Sequence, residues 1–559
     1  MIVTMVVISV VILAIGYFTY GRMITRKLEL DDSKPTPACE MNDGVDYAPV
    51  SASMLLGQHF SAIAAAGPIV GPILAALWFG WLPALLWIVL GAIFIGGVHD
   101  FTSLTASVRH KAASMGEIVK QYMSPTSQKL FLSFVWLALV YVIIAFTDIT
   151  AQTFKAVSQE GEAFGPGVAV SSLVYIMLGV LMGVALHRFK MKLWVATAIF
   201  IPAILIVMWF GTMLPESWVT RISAIPVKGW EVLLLVYCFA ASLVPMWLLL
   251  QPRGYLGGWF LYLTLAAGIV GVLFGGYEIK YPAFNLDGLK SADSARMVFP
   301  ILFITVACGA CSGFHGIVSG GTTSRQLRKE TDARVIGYGA MILEAVVAVL
   351  ALATVMMLAK GDPMLKSDPN YVYANGLAVY MRDIFGIRYG VVLAFALLAF
   401  STFVYDTLDV STRLARYVLQ ELMGWKSLAS SFVATGITLS LPLLFLLTTK
   451  EKGYLVAWPI FGTSNQLLAS LTLLAISVWL VRTGRKAWFT VVPMVFMMAM
   501  TLWSLVLQIR PLFRHLTTGE GALKTDTAIS GIVGSVLLVL AIWLLVEAYR
   551  VLVVRRKSA

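Results

Sequence analysis

The stretch Ala66-Gly67-Pro68-Ile69-Val70-Gly71-Pro72 lies inside an apolar run and carries two Gly-Pro pairs four residues apart. Each proline lacks an N–H donor, and its ring presses on the preceding turn, so the segment does not wind as a straight helix. In a bilayer, where no water satisfies the freed backbone groups, an interrupted helix survives only where it packs in protein or lines a cavity. A kink made for packing meets that rule. So does a site whose released backbone groups bind a carboxylate or an ion, and Gly67, Pro68, Gly71 and Pro72 are the candidates for such a site.

The surrounding composition places this stretch in a membrane. Of 559 residues, 59% are apolar and 13% charged, with mean hydropathy +0.85. A soluble chain has about 45–50% and about 25% respectively. These values exclude a soluble enzyme, a disordered chain and a nucleic-acid-binding domain. The formal charge of +12 therefore speaks to orientation in the lipid bilayer, not to a nucleic-acid partner. The four cysteines show no paired spacing that implies a disulfide framework. The first apolar run has no basic segment before it and no small-residue cleavage site after it, so it is expected to be a retained helix.

Runs of about 20 mostly apolar residues fall at 2–20, 57–77, 83–106, 129–152, 166–186, 191–211, 230–250, 255–275, 298–319, 334–359, 387–412, 429–448, 455–480, 487–508 and 528–552. The expected fold is all-α and polytopic, with about 15 transmembrane helices. Strict alternation puts 26 of the 41 Lys and Arg residues on one side. By the positive-inside rule that side is cytoplasmic, which sets the N-terminus outside and the C-terminus inside. No loop is long enough for a separate soluble domain.

A second interruption, Ala241-Ser242-Leu243-Val244-Pro245, falls in the seventh run, five runs after the first. An odd spacing means the two segments cross in opposite directions. That pattern predicts a 5+5 inverted repeat with the cargo between two discontinuous helices. The repeats would be 57–211 and 230–412, forming a transport core 57–412. Segments 1–56 and 413–559 would then be peripheral. Ser242 and Pro245, with Ser312 and Phe314 on the ninth run, join the candidate cargo contacts.

Ionisable groups inside spans cost about 2.5–3.5 kcal/mol each at mid-depth on insertion scales, so they tend to face a cavity or a partner. The candidates for ion coupling are His59, His99, Asp100, Asp148, His315 and Asp406; Glu344 is also intramembrane. Asp100 and Asp406 are shallow enough that snorkelling explains them equally well. Asp148, near a helix end, either lines a path or caps the helix. Asp409 and Arg413 stand at i,i+4 and are expected to form a structural ion pair. Cys308, Ser312, His315 and Ser319 fall within about 60° on one helix face at 100° per residue. That stripe suits a hydrogen-bonded histidine, a coupling or gating role, or a metal held with Cys311. Zinc wants four ligands, and no fourth is evident, so no metal is expected. No Gly-Lys-Ser/Thr follows the glycines near Gly320, which argues against direct ATP use. No Lys or Arg is expected at mid-depth, leaving anion recognition to backbone N–H groups, hydroxyls and histidines. The coupling ion is H+ or Na+, with no other cofactor, and no feature sets an oligomeric state.

Several stretches together resemble the carbon starvation protein A family of bacterial inner-membrane proteins. They are Asp43-Gly44-Val45-Asp46-Tyr47-Ala48-Pro49, Gly57-Gln58-His59-Phe60-Ser61-Ala62-Ile63-Ala64, Val98-His99-Asp100-Phe101 and Leu249-Leu250-Gln251-Pro252-Arg253. They continue with Ser312-Gly313-Phe314-His315 through Thr323, Thr407-Leu408-Asp409 through Tyr417, and Trp458-Pro459-Ile460-Phe461-Gly462-Thr463-Ser464-Asn465-Gln466-Leu467-Leu468. The resemblance implies a secondary transporter of the amino acid–polyamine–organocation superfamily, with a LeuT-like fold. It also implies uptake of peptides or pyruvate when carbon is scarce, driven by an ion gradient. The expected function is thus symport of a small carboxylate or short peptide. The alternatives are an ion channel and, remotely, an intramembrane aspartyl protease using Asp100 and Asp406.

Overall fold

The computed structural model describes residues 1–43, 47–157, 161–285, 297–449, 453–519 and 525–551. Gly44, Val45 and Asp46 of the first quoted stretch, and the basic tail Arg555, Arg556 and Lys557, lie outside them. Named in chain order, the main helices begin with α1 (Ile2–Leu28), α2 (Ala52–Ile63), α3 (Gly67–Phe79), α4 (Trp81–Arg109), α5 (Pro125–Thr153) and α6 (Gly165–His187). Next come α7 (Leu193–Gly211), α8 (Val227–Leu243), α9 (Leu250–Phe274), α10 (Val298–Thr305), α11 (Gly313–Val318) and α12 (Arg334–Met356). The series ends with α13 (Pro369–Phe385), α14 (Tyr389–Met423), α15 (Leu428–Thr448), α16 (Tyr454–Arg482), α17 (Trp488–Thr518) and α18 (Thr525–Tyr549). Among the described residues, 12 helices are long and apolar enough to cross a membrane, or up to 14 if each of two bent pairs counts as one span.

The break expected near the Gly-Pro pairs is present, slightly displaced. Residues 64–66 leave the helical path, and α2 and α3 meet at 43°. Pro68 sits in the first turn of α3, where its missing N–H is an orphan in any case. Pro72 remains inside α3.

The second interruption is not where the sequence pattern placed it. α8 ends at Leu243, Val244 is extended, and α9 starts at Leu250, so 241–245 is a helix end and turn. The discontinuous partner is instead the run expected as a single helix at 298–319. It divides into α10 and α11 around the non-helical residues 306–312. That break falls seven expected crossings after the first, not five. It contains no proline. Its small residues Ala307-Cys308-Gly309-Ala310-Cys311-Ser312 bring little side-chain packing of their own to hold a helix against its neighbours.

The two breaks face each other. A Cβ on Gly67 would lie 2.3 Å from Cys308 Sγ, and one on Gly71 would lie 2.7 Å from the Thr305 carbonyl oxygen. The glycines of the Gly-Pro pairs are therefore needed for the close approach of α3 to the 305–309 backbone.

A further helix, α13, occupies a stretch taken as loop. It rests on the carboxyl ends of spanning helices: Asn370 donates to Thr153, Gly376 packs on Thr354, Tyr380 packs on Gly271, and Tyr277, just past α9, donates to Asp383. Both ends of α13 thus meet the same set of ends, so it lies across that face and adds no crossing. Burial also separates interior from rim. The span window of α16 is 94% buried, against 28% for α1 and 22% for α7. α16, grouped by the sequence pattern with the peripheral segment 413–559, is thus an interior helix.

Candidate functional site

Two buried polar clusters form between these helices. The first lies at the second break. Asp100, on α4, accepts from Nδ1 of His99 and from Nδ1 of His315, each at 2.7 Å. His315 Nε2 stands 3.3 Å from Glu344 Oε2 on α12. All four side chains are fully buried. Cys308 joins them, its sulfur within 4.8 Å of the His315 and Glu344 ligand atoms, while Cys311 is not part of this group. Asn465 of α16 closes the break from the other side. Its Nδ2 donates to Ser312 Oγ at 2.9 Å, and its Oδ1 accepts from the Phe314 backbone N–H at 2.9 Å. The first turn of α11 thereby has one orphan N–H satisfied by a side chain from another helix.

The second cluster centres on Arg253, which the sequence pattern assigned to a basic loop. It lies in the first turn of α9 with a side chain 0% exposed. Its Nε and Nη2 both reach Asp406 Oδ1 at 2.7 Å, and its Nη1 reaches Asp409 Oδ2 at 2.5 Å. The Tyr237 hydroxyl donates to Asp409 at 2.8 Å and accepts from Arg253. Ser61, two residues from the end of α2, donates to Asp406. The guanidinium carbon also sits 5.9 Å from the ring centroids of Tyr237 and Tyr405. Arg253, taken as a loop residue, is thus buried in protein at the start of a helix. Helix winding past Pro252 carries Arg253 inward, because a proline in the first turn does not stop a helix.

The expected Asp409–Arg413 pair does not form either. Asp409 is taken by Arg253, and Arg413 Nη2 donates to the carbonyls of Ala241 and Val244 at 2.8 and 2.5 Å. Arg413 thus serves the orphan carbonyls at the end of α8. Ser242 there bonds Phe239 O and Thr435, and Pro245 is exposed. Asp148 accepts the Tyr454 backbone N–H at 2.7 Å and so caps α16. Asp100 and Asp406 belong to different clusters, so a dyad sharing one proton is not formed.

A cavity of about 10 Å³, room for a single water, lies beside Asp406. Its wall includes Gln58, His59, Thr322, Thr323 and Gln326. His59 Nδ1 and Thr323 Oγ1 share a hydrogen bond of 2.8 Å. Gln251 donates to Gln326 at 3.2 Å, and Val50 N–H bonds Gln326 O, so the chain before α2 closes over this end. Of the residues that residue-type reasoning overlooked, Arg253 and Asn465 lay in stretches quoted for the family resemblance. Tyr237 lay in none.

The amino-acid sequence matches the family described as carbon starvation protein CstA over residues 1–365 and 362–504. The chain belongs to the CstA family. Among characterised relatives, the peptide transporter CstA of Helicobacter pylori (strain ATCC 700392 / 26695) is 32% identical, covering 91% of this chain and 82% of that protein. The pyruvate/proton symporter BtsT of Escherichia coli (strain K12) is 31% identical, covering 90% and 81%. Among solved structures, MhsT in complex with L-phenylalanine aligns at 12% identity with a TM-score of 0.48, covering 82% of this chain and 98% of that one.

Proposed function

We propose that this protein is a proton-driven importer of a small carboxylate such as pyruvate, or of a short peptide through its carboxylate. Arg253 binds the cargo anion, and Asp406 carries the proton. The observation that supports this most directly is one buried guanidinium set between two buried carboxylates, of which Asp406 lines a cavity.

Charge bookkeeping gives the coupling. With both aspartates ionised, the Arg253–Asp406–Asp409 cluster carries one net negative charge in a low-dielectric interior. A proton on Asp406 weakens its hold on the guanidinium and frees the planar donor fork, which is suited to bidentate recognition of a carboxylate. A cargo anion entering together with that proton leaves the cluster again at one net negative charge. One carboxylate has replaced another on Arg253. A monoanion therefore travels with one proton, electroneutrally. The cavity is too small for cargo, so transport requires the Gln251–Gln326 side, or the opposite side, to open around it.

The test is uptake of labelled pyruvate and dialanine into proteoliposomes under an imposed pH gradient. Wild type accumulates cargo, and a protonophore abolishes accumulation. D406N retains cargo counterflow but no longer accumulates cargo against the proton gradient, whereas R253K loses both. Protonophore-insensitive accumulation, or full accumulation by D406N, would overturn the proposal.

A further inference from the structure

The Arg253 cluster leaves the first cluster without a task. Three of its side chains come from separate elements: Cys308 from the 306–312 break, His315 from α11 and Glu344 from α12. Their sulfur, a ring nitrogen and a carboxylate oxygen all lie within 4.8 Å of one another. His315 Nε2 and both Glu344 oxygens are buried and have no hydrogen-bond partner. The only charged contact of Glu344 among the described residues is His315. No Lys or Arg reaches Glu344 or Asp100 there, so two buried carboxylates have only imidazoles beside them.

We infer that Cys308, His315 and Glu344 form a buried binding site for a divalent transition ion of the zinc class. The geometry is close to that of a tetrahedral ion. Nitrogen and oxygen ligands about 2.0–2.1 Å from zinc lie roughly 3.4 Å apart, and His315 Nε2 to Glu344 Oε2 is 3.3 Å. The sulfur, about 3.6 Å from its co-ligands in such a site, must draw in by at most about 1.2 Å. Asp100 completes the arrangement from behind. It fixes His315 through Nδ1 at 2.7 Å, which leaves Nε2 as the ligand atom, in the carboxylate–histidine–metal pattern that orients metal-bound imidazoles. The three ligands leave one position open. The ion displaces the Cys308 thiol proton to solvent, so one proton leaves per dication bound. The resulting thiolate and the Glu344 carboxylate neutralise the dication. Such an ion would tie the 306–312 break to α11 and α12. Gly67 packs directly on Cys308, so the α3 backbone backs the sulfur on that side.

The whole chain, purified in detergent and stripped with a chelator, is titrated with Co2+. One equivalent per chain is expected, with sulfur-to-cobalt charge-transfer absorption. C308S abolishes that absorption, D100N weakens affinity about 10–100-fold, and C311S leaves both unchanged. X-ray absorption of zinc-loaded wild type is expected to show one sulfur scatterer in a shell of nitrogen and oxygen. That second measurement needs no variant and holds even if C308S fails to fold. Folded wild type that takes up neither Co2+ nor Zn2+, a shell without sulfur, or charge transfer that persists in C308S would each overturn the inference.

Discussion

Replacing Arg253 by methionine keeps much of the apolar stem and removes the guanidinium. Asp406 then loses two contacts of 2.7 Å, and Asp409 loses one of 2.5 Å. The two carboxylates are only 3% and 2% exposed, so water cannot replace the lost cation. Removing one partner of a buried pair costs about 3–5 kcal/mol, because the stranded charge keeps its desolvation penalty. Here two carboxylates are stranded, which places Arg253→Met at the upper end of that range, offset where one of them takes up a proton. Neutralising both acids as well, in the triple variant with Asp406→Asn and Asp409→Asn, removes the penalty. Most of the stability should return while transport stays lost. The assay is SDS-titrated unfolding of detergent-purified protein followed by tryptophan fluorescence, with uptake measured in parallel. If Arg253→Met unfolds at the same SDS fraction as wild type, or the triple variant is no more stable than the single, the charge cluster is not the buried unit described here.

Two further outcomes test the frame around the sites. Gly67→Ala places a methyl 2.3 Å from Cys308 Sγ, so overpacking should lower stability by about 1–3 kcal/mol, measured by the same SDS titration; an unchanged midpoint would mean that the two breaks are not in contact. Asp148→Ala removes the cap on the Tyr454 N–H and should cost about 0.5–2 kcal/mol while leaving proton-driven accumulation in proteoliposomes intact; loss of proton coupling at unchanged stability would instead return Asp148 to the coupling machinery.

Much of the membrane architecture was legible because bilayer burial writes itself into long apolar runs. The runs at 83–106, 129–152 and 334–359 correspond to α4, α5 and α12. The Gly-Pro pairs announced the first break because proline chemistry is local. The second break carries no such mark. Small residues at 306–312 are compatible with a helix, and they leave it only because α3 and Asn465 pack against the freed backbone. Pro245 misled for the converse reason: a proline near the end of a helix looks the same in sequence as one at its middle.

The candidate site divides in the same way. Sequence alone identified Asp100, His315, Asp406 and Asp409 as intramembrane groups in need of partners, since burying a charge or an imidazole is costly wherever it occurs. It could not say which partner each takes. Asp409 stands one helical turn from Arg413, yet it is bound by Arg253, 156 positions away in the chain. Asp100 reaches His315 across 215 positions. Residue type and local spacing determine that a polar group lies in the membrane interior. Only the packing of helices distant in the chain decides whether it meets a cation, a histidine or a helix end, because that choice rests on which side chains converge after the apolar surfaces have been buried.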